Sequence, residues 1–180
     1  GFVDDIEPLY AAAQVHLAPS ICEEAYGLTV LEAKGGEVLR RGLVLIAPGG
    51  KRHLVVRRRG SSLMTDLIDG EPVCYSRPSV NVLFESMATC AAPRLSAAIL
   101  TGMGQDGDTG LAAIFKAGGR TFAQDQETSG VFGMPARAHQ VGASERFVPL
   151  PDMASVLLGS VGQPRTSNPG GRRDHLVTKG

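Results

Sequence analysis

Between Ala97 and Phe115 the chain passes from a short apolar run through a glycine-rich loop into a helical pattern, and this segment constrains the fold more than any other. Ala97 to Leu100 reads as a strand, Thr101-Gly102-Met103-Gly104-Gln105-Asp106-Gly107-Asp108 as a tight loop, and Leu111-Ala112-Ala113-Ile114-Phe115 as the body of a helix. Strand, loop and helix in this order form the repeating unit of α/β proteins. The loop falls at the carboxyl end of its strand, where open α/β sheets bind ligands, and its glycines let the backbone turn sharply there.

The same alternation continues along the chain. Strands are expected at Val15 to Ala18, Leu43 to Ala47, Thr121 to Gln124 and Arg146 to Val148, and a hairpin from Leu54 to Ile68. Helices are expected from about Ala25 to Lys34, Ser79 to Thr89, Thr109 to Ala117 and Pro135 to Val141. In the second of these Val80, Leu83, Phe84 and Met87 recur at helical spacing as a core face. The expected fold is α/β: three layers, with a mostly parallel, doubly wound sheet and helices on both faces.

Two carboxylates in the loop bear on its chemistry. Gly102-x-Gly104-x-x-Gly107 matches the dinucleotide fingerprint, with Asp125 near the place of a ribose-binding acid. Asp106 and Asp108 oppose that use, because a phosphate cradle needs free N–H donors and a positive field. No cofactor is expected. Orienting an imidazole or capping a helix suits an acid here better.

Beyond the loop, four segments in order carry a resemblance: Leu45-Ile46-Ala47-Pro48-Gly49-Gly50-Lys51-Arg52-His53, Arg77-Pro78-Ser79-Val80-Asn81-Val82-Leu83-Phe84, Leu100-Thr101-Gly102-Met103-Gly104-Gln105-Asp106-Gly107, and Ala123-Gln124-Asp125 with Gly133-Met134-Pro135. From about residue 31 to 158 the chain resembles the catalytic domain of the CheB family of chemotaxis protein-glutamate methylesterases and glutamine deamidases. The resemblance implies hydrolysis of a side-chain methyl ester by a Ser-His-Asp triad, with Asp106 as its acid and the Met103-Gly104 backbone as the oxyanion or positioning element. It also implies methylated chemoreceptor helices as the partner.

A triad acts as a unit: histidine takes the serine proton, and aspartate fixes the histidine tautomer. In the family the serine comes from a Gly-Ala-Ser-Thr-Gly-Gly loop and the histidine from a Gln-His-Met turn, and this sequence contains neither. His16, His53, His139 and His175 lie outside any such motif; His53 reads as a polar residue at a strand start and His139 as a helix-surface residue. The expected site is therefore incomplete. A non-catalytic α/β module is the competing expectation.

Residues 1–33 resemble something else. Gly1-Phe2-Val3-Asp4-Asp5-Ile6-Glu7-Pro8-Leu9-Tyr10, Ala18-Pro19-Ser20 and Glu24-Ala25-Tyr26-Gly27-Leu28-Thr29-Val30-Leu31-Glu32-Ala33 are similar to the donor-binding half of retaining GT-B glycosyltransferases, whose Glu-x7-Glu pair would be Glu24 and Glu32. That implies a relic donor site on a loop and helix start. It also implies a chimeric or truncated chain divided into a glycosyltransferase-like segment (1–33), a methylesterase-like domain (34–158) and a disordered tail (159–180) rich in Gly, Pro, Ser, Asn and Arg.

Composition narrows the rest. A formal net charge of zero argues against a general nucleic-acid or acidic-membrane binder, and Arg57-Arg58-Arg59 reads as a solvated hairpin turn. Cys22, Cys74 and Cys90 are widely spaced, which suits a reducing compartment and excludes a zinc ribbon, so no metal site is expected. No apolar run approaches the roughly 20 residues that cross a bilayer, and no signal peptide opens the chain. The expected location is the cytoplasm.

Overall fold

The computed structural model describes residues 29–161. The expected strand at Val15 to Ala18, together with Glu24, Cys22, His16 and His175, lies outside them. The described chain forms β1 (Thr29–Glu32), β2 (Leu43–Ile46), β3 (Arg52–Arg59), β4 (Ser62–Asp69), α1 (Val80–Cys90), β5 (Ser96–Ile99), α2 (Asp108–Lys116), β6 (Arg120–Gln124), α3 (Gly133–Gln140), β7 (Arg146–Val148) and α4 (Leu150–Ser160).

Strands β5, β6 and β7 pair in that order, all parallel. Their side chains alternate between two cores, as a period of two requires. Ala97 and Ile99 join Val80, Leu83, Leu111, Ile114, Met134 and Ala138 from α1, α2 and α3. Phe122 and Val148, with Ala98 and Leu100, meet Met153, Val156 and Leu157 from α4 on the opposite face. Helices thus cover both faces of a parallel sheet.

The helix expected from about Ala25 to Lys34 is not formed by its described residues. Thr29–Glu32 is a strand running parallel to β2 in the register Thr29↔Leu43 to Glu32↔Ile46, with Ala33 N–H donating to the Ile46 carbonyl at 2.9 Å. Thr29 and Val30 are β-branched and favour the pleat, and Gly35 and Gly36 at φ +87° and +97° end any helical continuation. Residues 33–42 return to β2 without a helix. They run instead along β4: Gly36 N–H donates to Thr65 O, Thr65 N–H to Glu37 O, and Leu39 N–H to Leu63 O. This satisfies a crossover shorter than the dozen residues that parallel strands usually need.

Glu37 clamps this crossover. Its carboxylate accepts from Lys34 N–H at 2.8 Å, Gly35 N–H at 3.1 Å and the Thr65 hydroxyl. The Thr65 hydroxyl foremost, then these backbone donors, hold its pKa below the ordinary 4.5 against the opposing effect of burial. A depressed folded-state pKa means the stabilisation is present above the ordinary glutamate range and is lost as pH falls through the lowered value. Glu37→Gln should therefore cost little once pH has fallen below the lowered value but lower stability at neutral pH, by less than about 1 kcal/mol because the group is partly solvated. Urea melts across pH 3 to 7 read this out; a cost independent of pH would exclude the carboxylate as its source.

The hairpin expected from Leu54 to Ile68 is β3 and β4, paired from Arg52↔Asp69 to Arg59↔Ser62 around Gly60 at φ +59°. The arginine triplet lies at its tip: Arg57 pairs with Asp66 at 3.3 Å and Arg58 donates to the Cys90 carbonyl. The final helix, α4, is not among the expected elements, and it runs to Ser160, past the domain boundary at 158. Ser160 and Ser96 hydroxyls are 2.8 Å apart, which ties the helix end to β5.

Candidate active site

Asp106 stands at the carboxyl end of β5, just before α2, and is buried at 3% exposure. The Ser79 hydroxyl donates to its Oδ1 at 2.7 Å, Asn81 N–H to Oδ1 at 3.0 Å and Val80 N–H to Oδ2 at 2.8 Å. The first backbone donors of α1 are thus met by a carboxylate, where the helix dipole favours negative charge. Asn81 returns the arrangement. Its Oδ1 accepts from Gly107 N–H at 3.0 Å and Gly110 N–H at 2.8 Å, in the first turn of α2. Each helix start is capped by a side chain from the segment that starts the other.

This pairing overturns the dinucleotide alternative. A pyrophosphate needs free N–H groups at the start of α2. Gly107 and Gly110 donate to Asn81, Thr109 N–H donates to the Asp108 carboxylate at 2.6 Å, and Asp108 pairs with Arg137 of α3 at 3.1 Å. Asp125 is equally occupied, accepting from Thr128 N–H at 3.1 Å in its own turn.

A serine, a histidine and an aspartate do meet here, in an order unsuited to catalysis. Ser79 N–H donates to His53 Nδ1 at 3.1 Å, so the ring proton lies on Nε2, which donates to the Glu71 carbonyl at 2.9 Å. Both ring nitrogens are engaged and the ring is buried at 2% exposure, leaving no lone pair to take a proton. The Ser79 hydroxyl goes directly to the acid rather than to the imidazole. His53 is the structural residue expected, and His139 is exposed on α3 beside Phe147, its ring centroid 4.2 Å away.

Met103 and Gly104 lie in the loop that leads from β5 to Asp106. Met103 is 84% exposed, Gly104 turns at φ +118°, and neither amide donates to a carbonyl among the described residues. At the start of this loop, buried Gln124 accepts from Thr101 N–H at 2.8 Å and donates to the Thr128 carbonyl at 2.8 Å, holding the loop root. Glu32 lies far from this loop in sequence, exposed on β1 rather than on a helix. The donor-site geometry expected for it is lost with that helix. Sequence reasoning misses Asn81 and Gln124; both sit inside recognisable motifs, as polar residues at positions facing the interior.

Comparison with known proteins agrees with this architecture. The family model described as CheB methylesterase matches residues 11–157. That stretch takes in most of the segment likened to a glycosyltransferase, so the splice is not supported. A protein-glutamate methylesterase/protein-glutamine glutaminase 2 of Cereibacter sphaeroides is 47% identical over 149 residues, covering 83% of this chain and 40% of that protein. One of the same name from Albidiferax ferrireducens is 46% identical over 134 residues, covering 74% of this chain and 39% of its own length. The chain thus spans about two-fifths of these relatives. The crystal structure of the Thermotoga maritima CheB methylesterase catalytic domain superposes with a TM-score of 0.72 at 29% identity, over 77% of this chain and 73% of that one. With a match across most of its length, and a parallel sheet that ends in the Asp106 loop, the chain belongs to the CheB methylesterase family.

Proposed function

We propose that this chain is the acid-bearing part of a domain that hydrolyses glutamate methyl esters and glutamine amides in a protein substrate, with Asp106 as the triad acid. The observation that carries the reading is the fixed carboxylate at the end of β5. Three donors hold it immobile at the strand edge where α/β enzymes place their chemistry. An acid whose task is to orient an imidazole needs this preorganisation. The adjacent Met103 and Gly104 amides supply the oxyanion or positioning element, where donors aimed at developing charge are most effective. Methylated chemoreceptor helices and the cytoplasm follow as substrate and setting.

Ser79 and His53 are spent on structure, so the nucleophile and base come from outside the described residues. In this reading the chain alone releases no more methanol from a glutamyl methyl ester peptide than binding and oxyanion terms allow, since loss of two triad members removes nearly all acceleration. Supplying at its amino end the Gly-Ala-Ser-Thr-Gly-Gly and Gln-His-Met segments that the family resemblance implies should restore turnover, and Asp106→Asn should then reduce it by about 10⁴-fold. Full turnover by the chain alone would show the site to be complete. An extended, folded protein indifferent to Asp106→Asn would remove the acid from the mechanism.

A further inference from the structure

We propose that the cleft at the carboxyl ends of β1 and β2 binds carboxylates of an acidic polypeptide. Its use on the glutamates of the substrate rests on the methylesterase reading above; its chemistry does not. The cleft encloses about 310 Å³, with Ala33 and Leu67 among its walls and Lys34, Lys51, Arg52 and Glu32 bringing its charge.

The backbone builds this placement. β1 and β2 are parallel and in register to Glu32↔Ile46, so both leave the sheet at one edge. After β1 the Glu37 carboxylate fixes the amides of Lys34 and Gly35. After β2 the chain turns through Gly50 at φ +135°, a conformation that favours glycine, and delivers Lys51 and Arg52 to the same cleft.

The charges are uncommitted. The ion pairs of the described residues join Arg57, Arg59, Arg120 and Arg137 to acids elsewhere, and none reaches Lys34, Lys51 or Arg52. Asp69, opposite Arg52 in the hairpin register, makes no ion pair with it. Among the lining residues of a chain of zero net charge, three cations stand against one carboxylate; outside the lining, the Glu37 carboxylate is spent on the Lys34 and Gly35 amides and the Thr65 hydroxyl, and Asp69 is exposed at the hairpin end. Small apolar walls beneath a cationic rim suit a carboxylate on a short methylene stem, the shape of a glutamate side chain. Arg52 is the neighbour on β3 of His53, whose ring accepts from the Ser79 N–H.

Calorimetric titration of the whole chain at low ionic strength with a hexaglutamate peptide, inorganic phosphate and a hexalysine peptide tests this. Hexaglutamate should bind and hexalysine should not. Binding should weaken roughly tenfold in K34Q/K51Q/R52Q, strengthen in E32Q, and stay unchanged in R57Q/R59Q. Because E32Q removes an opposing charge, tighter binding there cannot arise from misfolding. No hexaglutamate binding, equal binding by the triple variant, or weaker binding by E32Q overturns the proposal. Phosphate binding as tight as hexaglutamate, and competing with it, would make this a general anion site and overturn the peptide assignment. Ester hydrolysis by the extended protein without hexaglutamate binding defeats the cleft alone; binding without hydrolysis defeats the methylesterase reading alone.

Discussion

Replacing Asp106 with alanine is expected to destabilise the fold by about 3 to 5 kcal/mol, a large fraction of the stability of an ordinary domain. The substitution strands the Ser79 hydroxyl and the Val80 and Asn81 amides in the interior and removes the negative charge at the start of α1. Hydrogen bonds to a charged group are each stronger than neutral ones, although the three are not additive. Asparagine keeps one acceptor oxygen but turns its NH₂ toward an N–H donor, so Asp106→Asn should lose somewhat less, about 2 to 3 kcal/mol. Urea denaturation measures both. A loss under about 1 kcal/mol for the alanine variant would mean that the carboxylate does not hold α1.

Gly110→Ala should cost about 3 kcal/mol despite alanine's better helix propensity. A Cβ at Gly110 would lie 2.6 Å from Phe84 Cβ, 2.9 Å from the Asn81 carbonyl oxygen and 3.0 Å from Asn81 Cα. None of these atoms can rotate away. The helices must separate, and that stretches the Asn81 side-chain bonds to Gly107 and Gly110. Gly159 provides the opposite case: it lies within α4 where an added Cβ would meet open space, so Gly159→Ala should stabilise by about 0.5 to 1 kcal/mol. Thermal melts of the two variants should move in opposite directions. If Gly110→Ala raised the melting temperature, close contact between α1 and α2 would not be what requires glycine.

Much of this fold is legible in the sequence where a local signal coincides with a tertiary one. The helix expected from about Ser79 to Thr89 shows its apolar spacing and its length in the order of its residues alone, and the observed α1 begins at Val80 with Ser79 as its N-cap. The hairpin announces itself through two β-rich runs around Gly60. Thr29–Glu32 misleads because a family likeness outweighs its β-branched residues. The α4 helix escapes notice although Pro151 and Asp152 in its first turn are ordinary start signals. The site divides in the same way. Sequence shows an acid in a glycine loop, but its donors come from a segment 25 to 27 residues away, a distance no periodicity can bridge. The glycine fingerprint is likewise visible, whereas the Asn81 side chain that occupies its amides becomes apparent only when α1 crosses α2.

The mutual capping of α1 and α2 has a consequence for how the molecule opens. A helix capped by its own residues can fray from its end without disturbing its neighbours. Here the first turn of α1 cannot come apart without freeing Asp106 at the root of α2, and the first turn of α2 cannot do so without freeing Asn81 of α1. Local fluctuation is converted into a joint event, so the two turns form one cooperative unit. The carboxylate proposed to orient a catalytic base is thereby kept from drifting by the full cost of opening that unit, rather than by any single contact.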